Sequence, residues 1–249
     1  MLALVTEHLG ISVSILGFAM LITYVAATVQ ATIGFGFALI CVPVLSLVDP
    51  ALTPVPQLFA LTPLTIGMAW RERSHIDLKG VSWVIVGRLL GAGLGLKLLS
   101  VHSRSMLDAI IGFTVLLAVI LAWWRPQFER NRVSEIGAGT LSGMSALISS
   151  IGGPLLALLY RNESGGALRG SMAAVFVIGL TITFGARIAS GHIQLQDLWI
   201  GLCLIPPVLL GLRTSSSFIS LIEGSLLKWI ILVIAGCSSL LMIVRGLFF

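Results

Sequence analysis

The stretch Val29 to Leu45, VQATIGFGFALICVPVL, is apolar enough for a bilayer, yet Gln30, Thr32, Gly34 and Gly36 interrupt it where a spanning helix is normally uniform. A second such stretch, Gly139 to Tyr160, reads GTLSGMSALISSIGGPLLALLY. In both, small polar residues lead to a glycine cluster and then to a purely apolar segment. A broken helix in hydrocarbon leaves backbone groups without partners, and it is tolerated only where those groups are buried in protein or face a polar cavity. Two breaks, one in each half of the chain, point to a binding site.

The rest of the sequence fits a membrane environment. Hydrophobic residues make up 57% and charged residues 10% of the 249, and the mean hydropathy is +1.07, far outside the range of soluble domains of this length. The N-terminus lacks a basic region and a small-residue cleavage site, so the run from Ser12 to Val29 reads as a retained span and not a signal peptide. Cys41, Cys203 and Cys237 fall within apolar segments, against a disulfide framework or a metal cluster. The net charge of +5 comes mostly from loops, where it reports orientation and gives no reason to expect nucleic acid.

At about 20 residues per crossing, full spans are expected near 12 to 29, 52 to 70, 81 to 99, 106 to 124, 168 to 189, 195 to 212 and 226 to 244. Between Ser134 and Tyr160 there is too little chain for two crossings, and two partial helices meeting near the midplane are expected, with a longer first arm in the first half. The segment Arg71 to Leu78 resembles Ser190 to Leu195, and Gly93 to Lys97 resembles Leu209 to Arg213, at an offset of about 117 residues. The expected fold is therefore an all-α polytopic membrane protein of two repeats, each a broken, re-entrant helical hairpin plus three full transmembrane helices. Residues 1–126 form the first repeat, 127–133 a short linker and 134–249 the second. An odd number of passages per copy inverts the second relative to the first. With the N-terminus outside, Arg71, Arg73, Lys79, Arg125, Arg130, Arg132, Arg161, Arg169 and Arg213 gather on the cytoplasmic side with the linker; Lys97, Arg104 and Arg245 remain outside. Glycines 87, 91 and 95 form a small-residue ridge suited to close packing within the monomer or, alternatively, to a homodimer face.

Helices that restart after Gly34 and Gly152 aim free N–H groups and a positive dipole end into the membrane, which suits an anion. Pro154 fits the first turn of such a helix because it has no N–H to satisfy. The substrate-binding candidates at the breaks are Gln30, Thr32, Gly34, Phe35, Gly36, Ser149, Ser150, Gly152, Gly153 and Pro154, with hydroxyls of Ser142 and Ser145 as further donors; Gln57 is a polar group at a span edge. Arg88 lies near the centre of its span, and an intramembrane charge is by default functional. Arg187, nearer the outer end of its helix, is a second cationic candidate, and Lys228 near an inner end a third; both positions also allow snorkelling. No carboxylate is placed at the membrane centre, which disfavours a cation transporter or a carboxylate-based proton pump. His8, His75, His102 and His192 sit in or beside loops, and no zinc-protease, paired-carboxylate or nucleophile-elbow pattern occurs. No catalytic residues, metal or cofactor are expected.

The cluster Gly34-Phe35-Gly36 followed by Pro43, the pair Ser142-Gly143, and the cluster Ile151-Gly152-Gly153-Pro154 ending at Tyr160 resemble the TauE/SafE sulfite exporter family, also called the toluenesulfonate uptake permease family. The resemblance runs over essentially the whole chain. It implies movement of small sulfur-containing anions, such as sulfite or organosulfonates, across the cytoplasmic membrane of a bacterium. The expectation is thus a secondary transporter, an exporter, that holds an oxyanion between the two breaks and Arg88. A passive anion channel and a non-transporting membrane scaffold are the rival readings.

Overall fold

The computed structural model describes residues 10–99, 104–124, 129–160 and 162–218, with positions 233, 236–237, 239–241, 243–244 and 246–247 beyond them. The expected span at 226 to 244 lies largely outside these residues, as do Lys228, His8, His102, Arg125, Arg161, Arg245 and the first two linker residues.

Among the described residues the regular structure is helical: α1 (Val13–Ile33), α2 (Phe37–Val48), α3 (Val55–Arg71), α4 (Leu78–Leu99), α5 (Arg104–Trp124), α6 (Arg132–Ser149), α7 (Gly153–Leu159), α8 (Gly165–Ala189) and α9 (Leu195–Phe218). Of these, α1, α4, α8 and α9 are long and apolar enough to cross a bilayer. The starts follow local chemistry. Ser12 accepts from Ile15 N–H at 3.3 Å and Ser164 from Ala167 N–H at 3.3 Å, while Asn131 and Ser134 exchange two 2.9 Å bonds in a capping box that opens α6. Asp49 ends α2 and seeds a 3₁₀ turn, Pro50–Leu52. Helix α3 begins only at Val55, three residues into the span expected at 52 to 70, and has 17 residues.

Apolar side chains fill the interior and also cover much of the outer surface, with a few polar groups enclosed among them. Leu21, Leu89, Leu90, Trp123 and Leu210 are exposed, whereas Gln30, Gln57, Arg88, Glu135 and Arg187 are buried. Hydrocarbon as solvent accounts for both halves of that pattern, because exposed leucine costs nothing there and a polar group must find partners within the protein.

Both glycine-bearing stretches break their helices. The first separates α1 from α2 and the second separates α6 from α7. The arms of the second are less equal than the spacing suggests, 18 residues in α6 against 7 in α7. At ~1.5 Å per residue, α6 alone covers about 27 Å. Its internal glycines do not stop it because they serve packing. A β-carbon on Gly139 would strike Val84 O, and one on Gly143 would lie 2.5 Å from Arg88 O. From the other side, Gly87 and Gly91 of α4 meet Ile136 O and Thr140 O. The small-residue ridge thus brings the backbones of α4 and α6 into direct contact within the chain. On the opposite flank, Gly211 of α9 lies against α1, where a β-carbon would be 2.8 Å from Tyr24 O. Helix α5 leans on the breaks through a cluster of Leu39, Val42, Val115 and Ile151.

At one end of the bundle, charged residues bind the helix ends together. Arg130 pairs with Glu135 at 3.0 Å, with Glu163 at 2.6 Å and with Asp77, and its guanidinium lies 4.5 Å over the Tyr160 ring. Glu72 joins Arg169 at 2.9 Å and Arg71 at 3.3 Å, with His75 beside it.

Backbone contact at the α4–α6 crossing cannot be relieved by a side-chain rotation. Gly91→Val is expected to destabilise the protein by about 3 kcal/mol, the upper range for overpacking. Gly93→Ala, which points into open space, should leave stability unchanged. Thermal unfolding in detergent distinguishes the two.

Candidate functional site

At the first break, Gly34 closes α1 in the left-handed region with φ 99°, its N–H bonding Gln30 O at 2.7 Å, and Gly36 follows at φ 118°. Such angles favour glycine. Gly34 has no room for a side chain either, since a β-carbon would sit 2.6 Å from Leu168. Gly36 has no side chain to cap α2, and Gln30 reaches across the gap to do so. Its Oε1 accepts from Phe37 N–H at 3.1 Å. The acceptor end of the amide is therefore spent within the protein, while Nε2 is buried with no partner among the described residues. The next amides, of Ala38 and Leu39, belong to a first helical turn and have no intrahelical carbonyl to bond.

At the second break, Ser150 is a non-glycine residue at φ 61°. Its N–H bonds Ala146 O at 2.9 Å and its Oγ donates to Pro54 O at 3.2 Å, which anchors the turn to the start of α3. Gly152 precedes α7, and Pro154 occupies the first turn of that helix. Ser142 of α6 donates its hydroxyl to Gly152 O at 2.7 Å and accepts from Arg88 Nη1 at 3.1 Å.

Arg88 is 3% exposed, and its Nε has no hydrogen-bond partner among the described residues. It also has no carboxylate partner there, in contrast to Arg71, Arg130 and Arg169. The α4–α6 contact fixes its backbone. Gly179 of α8 makes space for its head, because a β-carbon there would collide with the guanidinium carbon.

These groups border one cavity of about 30 Å³, lined by Gln30, Gly36, Ala38, Leu39, Leu58, Leu61, Arg88, Ala146, Ser150, Ile151, Gly152, Gly153, Phe176, Leu180 and Thr183. By the space a water needs, it holds only a few atoms. Its lining contains one cation and no carboxylate, and the nitrogens without partners, Arg88 Nε and Gln30 Nε2, are donors. Leaving a buried charge unpaired costs several kcal/mol. An anion placed among these donors would offset that cost.

Of the candidates drawn from sequence, Gln30, Gly36, Arg88, Ser150, Gly152 and Gly153 come together at this cavity. Phe35 lies against Gly153. Thr32 and Ser149 bond back to Thr28 O at 2.7 Å and Ser145 O at 2.8 Å within their own helices. Gln57 donates to Leu52 O at 3.1 Å. Arg187 does not snorkel; it is 3% exposed and its guanidinium meets Leu147 O and Ile148 O at the end of α6. Gly34 packs under α8. Sequence reading missed Thr183, Gly179 and the apolar wall of Leu58, Leu61, Phe176 and Leu180. Only a glycine in mid-span hinted at Gly179.

Helices long and apolar enough to span a bilayer, packed around a buried cation, make this a multi-pass membrane protein. The model of the family Sulfite exporter TauE/SafE matches residues 19–242, and the chain belongs to that family. It is a transporter family, so membership implies an anion transporter of the sulfite-exporter type. No curated protein and no solved structure matches the chain.

Gly179→Ala should displace the Arg88 head and lower the affinity for sulfite about ten-fold or more, by loss of a charge-assisted hydrogen bond of ~1.5–3 kcal/mol. Gly185→Ala, on the same helix and facing open space, is the matched control. Binding isotherms of sulfite on the two purified variants are the measurement.

Proposed function

We propose that this protein is a secondary transporter that exports a small sulfur-containing oxyanion, sulfite or an organosulfonate, across a bacterial inner membrane by alternating access. The observation that carries the proposal is one cavity lined both by Arg88, buried and without a carboxylate partner among the described residues, and by Gln30, whose amide nitrogen has no partner among them. Sulfite and sulfonates present several negative oxygens to a donor-only lining. The helix dipole adds to this chiefly at α2, with 12 residues, and less at α7, with 7.

The proposed architecture is an inverted repeat, residues 1–126 and 134–249 about a cytoplasmic linker at 127–133, with the N-terminus outside and each broken pair re-entrant. Matching contacts support the duplication. Gly91 meets Thr140 O and Met144 N, and Gly211 meets Tyr24 O and Thr28 N. Tyr24 to Thr140 and Thr28 to Met144 are both steps of 116 positions, while Gly91 and Gly211 are 120 apart, about one helical turn out of that register. The second full helix of each proposed repeat, α4 or α9, thus packs on the first arm of the other. A cavity between exchanged arms is where a rocking or sliding motion exposes a substrate to either side in turn.

In proteoliposomes, the wild type is expected to exchange labelled sulfite in a saturable counterflow. Arg88→Ala should weaken it by about 10- to 100-fold, the equivalent of one charged hydrogen bond, and Arg88→Lys, which keeps the charge without the fork, should fall between. Uncoupled anion conductance without counterflow contradicts alternating access, and undiminished flux in Arg88→Ala contradicts the site.

A further inference from the structure

Two arginines that do not line the cavity make the same contact at the two breaks. In the first, Gly34 N–H takes Gln30 O, and the next carbonyl, Ala31 O, accepts from Arg71 Nη2 at the end of α3. In the second, Ser150 N–H takes Ala146 O, and the next carbonyl, Leu147 O, accepts from Arg187 Nη2 near the end of α8. The pairs Gln30 and Ala146, Ala31 and Leu147, Gly34 and Ser150, and Arg71 and Arg187 are each separated by 116 positions.

A helix that stops inside hydrocarbon leaves its last carbonyls unpaired and exposes the negative end of its dipole. At both breaks that end lies beside the cavity, where it opposes an anion. A guanidinium answers both problems, donating to the carbonyl and offsetting the partial charge. Its planar fork also reaches two acceptors at once. Arg187 additionally approaches Ile148 O at 3.3 Å, and Arg71 places Nη1 on Ser215 Oγ at 2.9 Å and Nε on Glu72 at 3.3 Å, tying its break to α9.

We infer that Arg71 and Arg187 are a matched pair of positioning residues that clamp the carbonyl ends of the two broken arms, leaving anion contact to Arg88. The division of labour rests on the transport reading above; the clamps themselves do not. Hydrogen–deuterium exchange on purified full-length protein in detergent separates the two. Arg71→Gln is expected to speed amide exchange about ten-fold, the loss of roughly one hydrogen bond, at residues 34–37 and not at 150–153. Arg187→Gln should do the reverse, and Arg88→Ala neither. Arg71→Lys and Arg187→Lys, which keep one donor and the charge, should restore part of the protection and stay folded should the glutamine variants fail to fold.

Proteoliposome flux of labelled sulfite adds the second readout. The clamp variants should lower the maximal rate with KM within about three-fold of wild type, less than one charged hydrogen bond would cost, whereas Arg88→Ala raises KM. Unchanged exchange at the cognate break overturns the clamp. So does a rise in KM for Arg187→Gln equal to that for Arg88→Ala, since it makes Arg187 a ligand. Absent sulfite flux in the wild type overturns the transport reading, while exchange still decides the clamp.

Discussion

A polypeptide that breaks its helix in hydrocarbon must satisfy each exposed backbone group from its own side chains or from a bound guest. Most of the structure around the breaks can be understood as the first kind of answer. Gln30 caps α2, Ser142 holds Gly152 O, Ser150 reaches Pro54 O, and Arg71 and Arg187 take up the carbonyls of the arms. Away from the cavity, Gln57 Oε1 is a buried acceptor without a partner among the described residues. The polar atoms left over at the cavity are donors, Arg88 Nε and Gln30 Nε2. That asymmetry is what supports the proposal of an anion site.

The glycine crossings make this possible. Arg88 is placed accurately because α4 and α6 touch along their backbones at Gly91 and Gly143. Its guanidinium then reaches Ser142 on the facing helix and occupies the space at Gly179 on a third. A side chain held on three elements loses little further freedom when an anion arrives, which lowers the entropic cost of binding. The same close contacts leave α4 and α6 no room for a side chain between their backbones.

The breaks were legible in the sequence because clustered glycines weaken a helix just where a bilayer most demands one. Arg88 was legible because a mid-span charge is costly wherever it points. The unequal arms were not. Whether α6 stops at its glycines depends on what packs against them, and α4 was too far along the chain for that to be read. Nor did the sequence reveal the use of Arg71, which reads as one of several loop charges, or of Arg187, whose position near a helix end suits snorkelling, ligand contact and a carbonyl clamp equally well. Side-chain roles at this site follow from partners at long range, such as Ser142 for Arg88 and Leu147 for Arg187, and periodicity carries no information about them. The apolar wall from Leu58, Leu61 and Leu180 was hidden for the same reason, since leucine is the expected residue on every face of a spanning helix.

The central claim is that an oxyanion binds in the cavity between the breaks, on Arg88 and Gln30. Crystals of the protein soaked with selenite, a heavier analogue of sulfite, offer the most direct check through the anomalous signal of selenium. The account predicts a peak within hydrogen-bonding range of Arg88 Nε and Gln30 Nε2. A crystal that binds selenite at another place in the membrane region, with this cavity empty, contradicts it.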